Sequence, residues 1–390
     1  QIPFTISTGL ITEIIRFLKN KKSTTHQIDT WQIIKKNQNS TTSSVSTERN
    51  SAELIFQNQE LSRQRSRMAD NRRDEPPPLP LILAKLKLLS SDHLSAVEQK
   101  ALTKIGRGVQ QPAPLLNTLL ARTFEPVELF EIIKSDAKMS AKILATVNSS
   151  QYALSHEITN INHAINFLGV ARVKNIAVSL CLQVSTTKLN ETQRLVFSQI
   201  WNNAYLASEL TVLIAQRLTP HLVAELSTSS LLSYLGDQAL LIADEDVASL
   251  YVDEKQFVER VYATQQLTGL NSAIVCHYLT LQWCLPSVLV KRLAGHLWLL
   301  VANNESDESK NELSMMICYF CCRLAEAITQ SQQSDMRDFL SPTSQFVTSA
   351  ELYYLHNSVD VERLFSLFYD NSLIKDLNTI AEKHWLNLHL

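Results

Sequence analysis

The chain has 390 residues and only 7 glycines, far below the roughly 7% of average usage, and it lacks any Asn-Gly or Asp-Gly hairpin pair, which argues for helices joined by polar turns. Its 45% hydrophobic content can fill a sizeable core, and a net charge of -2 gives the whole chain no electrostatic drive toward nucleic acid or an anionic membrane. No apolar run reaches the roughly 18 to 20 residues of a spanning helix, and six cysteines, Cys181, Cys276, Cys284, Cys318, Cys321 and Cys322, lie in apolar helical patterns as reduced core thiols. A cytoplasmic location is therefore expected.

Residues 1 to about 75 differ in kind from the rest of the chain. Lys35 to Arg49 is dominated by Ser, Thr, Asn and Gln, and Arg63 to Arg73 is rich in arginine without aromatic partners. Such a composition buries too little apolar surface to offset chain entropy, so a disordered polar segment is expected over 1–75. Leu10 to Leu18 is an isolated apolar piece without the small-residue cleavage site of a signal peptide. Met68 opens the last polar stretch and is the expected native start. Pro76-Pro77-Pro78-Leu79-Pro80 is a stiff lead-in to a helical extension over 76–110, with helical runs at Leu81 to Leu89 and Leu94 to Ile105. Gly106-Arg107-Gly108 is expected to close the second run, because this GxG neither follows a strand nor carries the further glycines of a phosphate-cradling loop.

From Gln111 a helix is predicted through Leu120, and Glu125-Pro126 opens the next, since proline at a first helical position loses no intrahelical bond. Leu129, Ile132 and Ile133 give that helix its face. Ser135 to Leu182 then predicts three consecutive amphipathic helices. Ser135 or Asp136 caps the first, whose Met139, Ile143, Leu144 and Val147 share a face. Thr159 is the expected cap of the second, Ile161, Ala164, Ile165 and Leu168 form its stripe, and Gly169 is expected as its left-handed C-terminal residue. Val173, Ile176, Ala177 and Leu180 repeat the pattern in the third. Between the first two lies the polar break Asn148 to Tyr152, whose side chains compete for backbone groups and set the angle between helices.

This succession, with Asp136, Asn148, Ser149, Tyr152 and Gly169 at their mutual spacings, resembles an HDOD domain (HD-related output domain), an all-helical module related to the HD metal-dependent phosphohydrolases. The resemblance covers 111–302 and leaves 303–390 as a C-terminal helical extension. It implies an all-α, multi-helix orthogonal bundle of HD-domain-like type, those five residues being structural, and a role in bacterial signal transduction through binding a protein partner or a small signalling ligand. HD phosphohydrolases hold their metals with a histidine on one helix and an adjacent His-Asp pair on a later one. The first place here is Asn203, in Trp201-Asn202-Asn203-Ala204-Tyr205, and the second is Ser233-Tyr234, in Leu231-Leu232-Ser233-Tyr234-Leu235-Gly236. Serine and tyrosine are neither anionic nor strong neutral donors near pH 7. His296 stands where the family often has histidine, and no His-Asp dipeptide occurs in the chain. The expectation is a non-catalytic regulator with no cofactor; the alternative is a metal-dependent HD-type phosphohydrolase or phosphodiesterase with a rebuilt metal site.

Other candidates read as structural. Cys318, Cys321 and Cys322 share a helical face, but Met315, Ile317, Phe320 and Leu324 surround them and no nearby histidine completes a metal set. His163 and His277 are expected at the surface or its boundary. Ser233 lacks a Gly-x-Ser-x-Gly elbow, and Asp244-Glu245-Asp246 is expected in a solvated loop. Nucleic-acid binding through the arginines of 63–73 is a weaker alternative, and no membrane partner is expected. Beyond a polar run at 303–311 come the cysteine-bearing helix through Thr329, a polar stretch at 330–349, and helices at Ser349 to His356 and Val359 to Leu377. Val361, Leu364, Phe365 and Phe368 form a stripe expected to dock on the main bundle.

Overall fold

A computed structural model describes residues 81–87, 94–109, 112–149, 157–182, 188–252, 255–299, 312–331 and 361–388. The expectations for 1–75, Met68, Tyr152, 303–311, 332–349 and 349–356 lie outside those residues, while Gln330 and Ser331 continue the last turn of the helix from Glu312. Contacts divide the chain after Asp74, and all the described helices belong to the second unit, Glu75–Leu390.

Every regular element among the described residues is helical, as the scarcity of glycine and hairpin pairs implies. The N-terminal part comprises α1 (Leu81–Ala84), α2 (Ala96–Gly108), α3 (Leu115–Leu120), α4 (Pro126–Lys134), α5 (Ala137–Val147), α6 (Ile161–Leu168) and α7 (Val170–Cys181). The central part is α8 (Glu191–Leu218), α9 (Val223–Leu232), α10 (Leu235–Ala243), α11 (Ser249–Val252), α12 (Phe257–Thr268), α13 (Ser272–Gln282) and α14 (Ser287–Trp298). The C-terminal part is α15 (Glu312–Ser331), α16 (Val361–Ser366) and α17 (Asn371–Leu388). Together they form an all-α, multi-helix bundle, as the sequence implies.

The helix starts reflect local chemistry. Asp136 accepts the Met139 amide at 2.9 Å and so caps α5, while Glu125 precedes Pro126 at the first position of α4. The cap of α6 is Asn160 and not the expected Thr159: its Oδ1 accepts the His163 amide at 2.8 Å, within reach because Asn160 is the residue that adopts extended φ and ψ just before the first turn. Gly169 has the positive φ expected of it, 86°, but a ψ of 158°. That combination is open essentially to glycine alone and is not the left-handed helical one, so the chain passes straight from α6 into α7 without a separate cap.

Three further expectations change. Gly106 and Gly108 lie within α2, which ends on Val109; two glycines cost helix propensity but do not stop a helix whose Leu102 and Ile105 are buried. Cys284 is exposed, with φ 53°, in the turn where its own amide bonds Leu281 O and the Leu285 amide bonds Thr280 O; the other five cysteines are buried free thiols. The run from Val359 to Leu377 is not one helix: a short 3-10 turn, Leu367–Tyr369, separates α16 from α17, and Asp370 turns its carboxylate back onto the Ser372 amide to start the next helix.

The core centres on α8, which packs along α9 and α15. Close approach is possible because the facing positions are small: Ser208, Thr211, Ser227 and Ser230 are all essentially buried. Their hydroxyls are satisfied within the seam, Thr211 Oγ1 and Ser230 Oγ lying 2.7 Å apart and Asn175 of α7 donating to both Ser208 and Ser227. The cysteine helix α15 lies inside this core, with Ile317, Cys318, Cys321 and Leu324 wholly buried. α17 docks on α8 and α15, with Leu373, Leu377 and Ala381 buried.

Gly236 sets the spacing of α10 against α13, since a Cβ there would run into the backbone of Ser272. Gly236→Ala is therefore expected to lower unfolding free energy by about 3 kcal/mol through overpacking. Gly108→Ala, whose Cβ would meet nothing within 4 Å, is expected to raise it by about 0.5 to 1 kcal/mol. Urea denaturation of the two variants reads both signs.

Candidate functional site

The two residues at the expected His-Asp position fall at a helix junction. Ser233 closes α9 and donates to Ser229 O at 2.7 Å, while Tyr234 precedes α10 and buries its ring. Both line a cavity of about 30 Å³ between α10, α12, α13, α14 and α15, together with Asp237, Phe257, Cys276, Tyr319, Cys322, Arg323 and Glu326. At 10 to 15 Å³ per water, that is room for about two waters.

One side of this cavity is charged. Arg260 of α12 donates to Glu326 Oε1 at 2.8 Å, and Arg323, one turn before Glu326 on α15, donates to Oε2 at 2.7 Å. All three side chains are 4% exposed. Burial alone would push the Glu326 carboxyl up; the two guanidiniums outweigh it and hold the group below its ordinary value, hence ionised. The cations are further held by aromatic faces, Arg260 over Tyr251 at 4.7 Å and Arg323 over Phe257 at 4.7 Å. Asp237 Oδ1 accepts the Tyr251 hydroxyl at 2.7 Å, and burial pushes its carboxyl up to about 6 against the pull of Arg260. The Tyr234 hydroxyl donates to Cys322 O at 3.0 Å.

This donor set does not fit a divalent metal. Of the two carboxylates that line the cavity, Glu326 is already held by two guanidiniums and Asp237 by the Tyr251 hydroxyl, and the guanidinium charge opposes a bound metal cation. Burial pushes Cys276 up to about 12 and Cys322 well above its usual range, so neither is a ready thiolate ligand. Among the described residues no group of three or more His, Cys, Asp or Glu is placed to hold a metal ion.

The other candidate positions are dispersed. Asn203 of α8 is buried away from the cavity wall, its Oδ1 accepting from Thr329 Oγ1 at 2.7 Å. His384 of α17 sits with Nε2 at 3.1 Å from the same hydroxyl, and burial brings it down to about 4, so it is neutral at pH 7. His296 belongs to α14, whose Leu293 and Leu297 line the cavity. Asn148 lies elsewhere, at the end of α5: its Nδ2 donates to Leu144 O and Ile158 O, and its Oδ1 accepts the Ile158 amide at 2.8 Å. This pairs one side chain with both backbone groups of a residue just before α6. Ser149 donates to Thr146 O at 2.6 Å. His163 is exposed, His277 is partly buried, and the acidic run Asp244 to Asp246 caps and enters a short 3-10 turn at the surface.

Arg260, Asp237 and Tyr251 carried no sequence signal, because charges in an amphipathic helix read as solvated. Arg323 and Glu326 did carry one: they are the only charged residues between Leu313 and Gln330 of an otherwise apolar helix.

Residues 115–297 match the family model described as HDOD domain. Solved structures to which this chain is similar include an HDOD domain protein with unknown function from Geobacter sulfurreducens, 14% identical over 73% of this chain and 98% of its own, at a TM-score of 0.47. A Marinobacter aquaeolei VT8 protein assigned to signal transduction is 18% identical over 77% of this chain and 68% of its own, at 0.49. A Shewanella amazonensis SB2B protein assigned as a phosphohydrolase is 15% identical over 72% and 98%, at 0.45. No curated protein matches the sequence.

Two opposed pH slopes are expected in stability. The folded chain binds the Asp237 proton more tightly than the unfolded chain, whose value is about 3.8, so this contribution is present below about pH 4 and lost as pH rises to about 6. His384 behaves oppositely: the unfolded chain protonates first, so its contribution is complete above about 6.5 and lost as pH falls toward 4. Asp237→Asn should raise the denaturation midpoint at pH 7.5, and His384→Gln should flatten the acid limb. Each effect is about 1 to 2 kcal/mol, reduced because both side chains keep some solvent contact. Glu326→Gln, which strips one charge from between two buried guanidiniums, should cost about 3 to 5 kcal/mol at pH 7.5.

Proposed function

We propose that this chain, whose residues 115–297 are an HDOD domain, is a non-catalytic signalling regulator that acts by binding a partner protein or a small signalling ligand in the bacterial cytoplasm. The observation that carries the reading is the buried Arg260–Glu326–Arg323 cluster beside Ser233 and Tyr234. In an HD phosphohydrolase the corresponding dipeptide presents an imidazole and a carboxylate to a metal. Here the same junction presents a hydroxyl and a phenol to a space already compensated by protein charges. Positive charge enters with the fold, so the bundle closes without an ion, and the chemistry a metal would supply, an activated water at neutral pH, has no source in these side chains. No described helix is long and apolar enough to cross a membrane.

Purified protein, refolded or dialysed with Mn, Fe or Zn, is expected to retain much less than one metal per chain by elemental analysis and to leave bis-p-nitrophenyl phosphate and cyclic dinucleotides uncleaved. Stoichiometric metal with turnover would establish the phosphohydrolase alternative in its place.

A further inference from the structure

The first described segment of the chain is held in an unusual way. α1 lasts one turn; from Lys85 the backbone leaves the helix, and its free groups are taken by two side-chain amides of the α12–α13 corner. Gln265 Nε2 donates to Lys85 O at 2.9 Å, and Gln265 Oε1 accepts the Lys87 amide at 2.8 Å. Asn271 Nδ2 donates to Lys87 O at 2.9 Å. The helix expected as far as Leu89 therefore stops at Ala84, because the carbonyls that would continue it are bonded elsewhere. Leu83 and Leu86 are buried beneath this stretch, and Lys87 Nζ reaches Glu98 and, at 3.4 Å, Gly269 O.

The corner is built independently of the segment it holds. Asn271 Nδ2 also donates to Gln265 Oε1 at 3.0 Å, and Asn271 Oδ1 caps α13 by accepting the Ile274 amide. Gly269, with φ 77°, ends α12 and turns its carbonyl outward. The two carboxamides are thus oriented before any peptide arrives. They read only main-chain atoms, which every sequence has, and leave selectivity to two leucine sites and one acidic site.

We propose that the α12–α13 corner is a peptide-docking seat, filled in cis by residues 81–87, and that a partner protein engages it by exchanging in a segment of the same pattern, Leu-x-x-Leu-basic, that follows a helical turn with irregular chain. The chain's own segment is then an intrasteric occupant. Being covalently attached, it competes at an effective concentration on the order of millimolar, so a free peptide shows binding only at that level or when the internal segment is weakened. This proposal does not depend on whether the cavity beside Tyr234 is catalytic.

The probe is a fluorescein-labelled peptide of residues 80–90 added to the full chain. Against wild type, anisotropy should show binding only at millimolar peptide. The double variant Leu83→Ala/Leu86→Ala should bind it at least tenfold more tightly, and adding Gln265→Ala in that background should remove the gain. In wild type, several millimolar unlabelled peptide should speed amide exchange at Lys87 while leaving α8 amides unchanged; this arm needs no variant and decides the matter if the double variant folds poorly. A Lys87 amide that exchanges only with global unfolding and is indifferent to peptide overturns the proposal, as does a double variant of wild-type helicity that does not bind the peptide.

Discussion

Two guanidinium groups share one buried carboxylate in the middle of this bundle, and much of the surrounding geometry comes from keeping that group of charges buried and paired. Glu326 cannot be left alone at 4% exposure, and neither can its partners, so α12 must lie where Arg260 reaches Oε1 while α15 presents Arg323 to Oε2. The aromatic faces of Tyr251 and Phe257 complete the enclosure. Tyr251 in turn gives its hydroxyl proton to Asp237 in a hydrogen bond, which brings α11 and α10 into the same arrangement. The small cavity is what remains when these elements close around charge they have already compensated.

A second polar system holds the other side of the core. Asn175, Ser208, Ser227, Thr228, Thr211 and Ser230 form a satisfied seam between α7, α8 and α9. Small hydroxyl side chains let these helices approach closely, and Thr211, Ser227 and Thr228 also donate to a carbonyl one turn back along their own helices. Arg292 extends the pattern from α14, donating to Ser229 Oγ at 3.1 Å and facing Glu225. The bundle thus joins its helices through specific polar contacts as well as apolar burial, which favours one register over slid alternatives.

The two places where side-chain amides grip backbone show one device used twice. Asn148 takes both groups of Ile158, and Gln265 takes Lys85 O and the Lys87 amide. In each case a carboxamide bonds backbone groups of non-helical chain that would otherwise be unpaired at the edge of the core. The first joins two helices within residues 115–297, which match the HDOD domain model; the second joins a segment preceding that region to the α12–α13 corner.

Much of the fold was legible from residue order alone, because helix periodicity and capping are local. Asp136, Pro126 and the stripe of Ile161, Ala164 and Ile165 each act within a few residues of themselves, and the absence of any His-Asp dipeptide is visible without coordinates. Cap placement one residue off, at Asn160, and the helical state of Gly106 and Gly108 depend on φ and ψ that composition does not specify. What surrounds Ser233 and Tyr234 could not be read, since Arg260 and Glu326 are 66 residues apart and Asn203 meets His384 only through Thr329. Local patterning determined that this chain is helical and that it carries no His-Asp dipeptide; tertiary packing alone decided what surrounds Ser233 and Tyr234, because charge compensation in a buried interior is set by distance in space and not by distance along the chain.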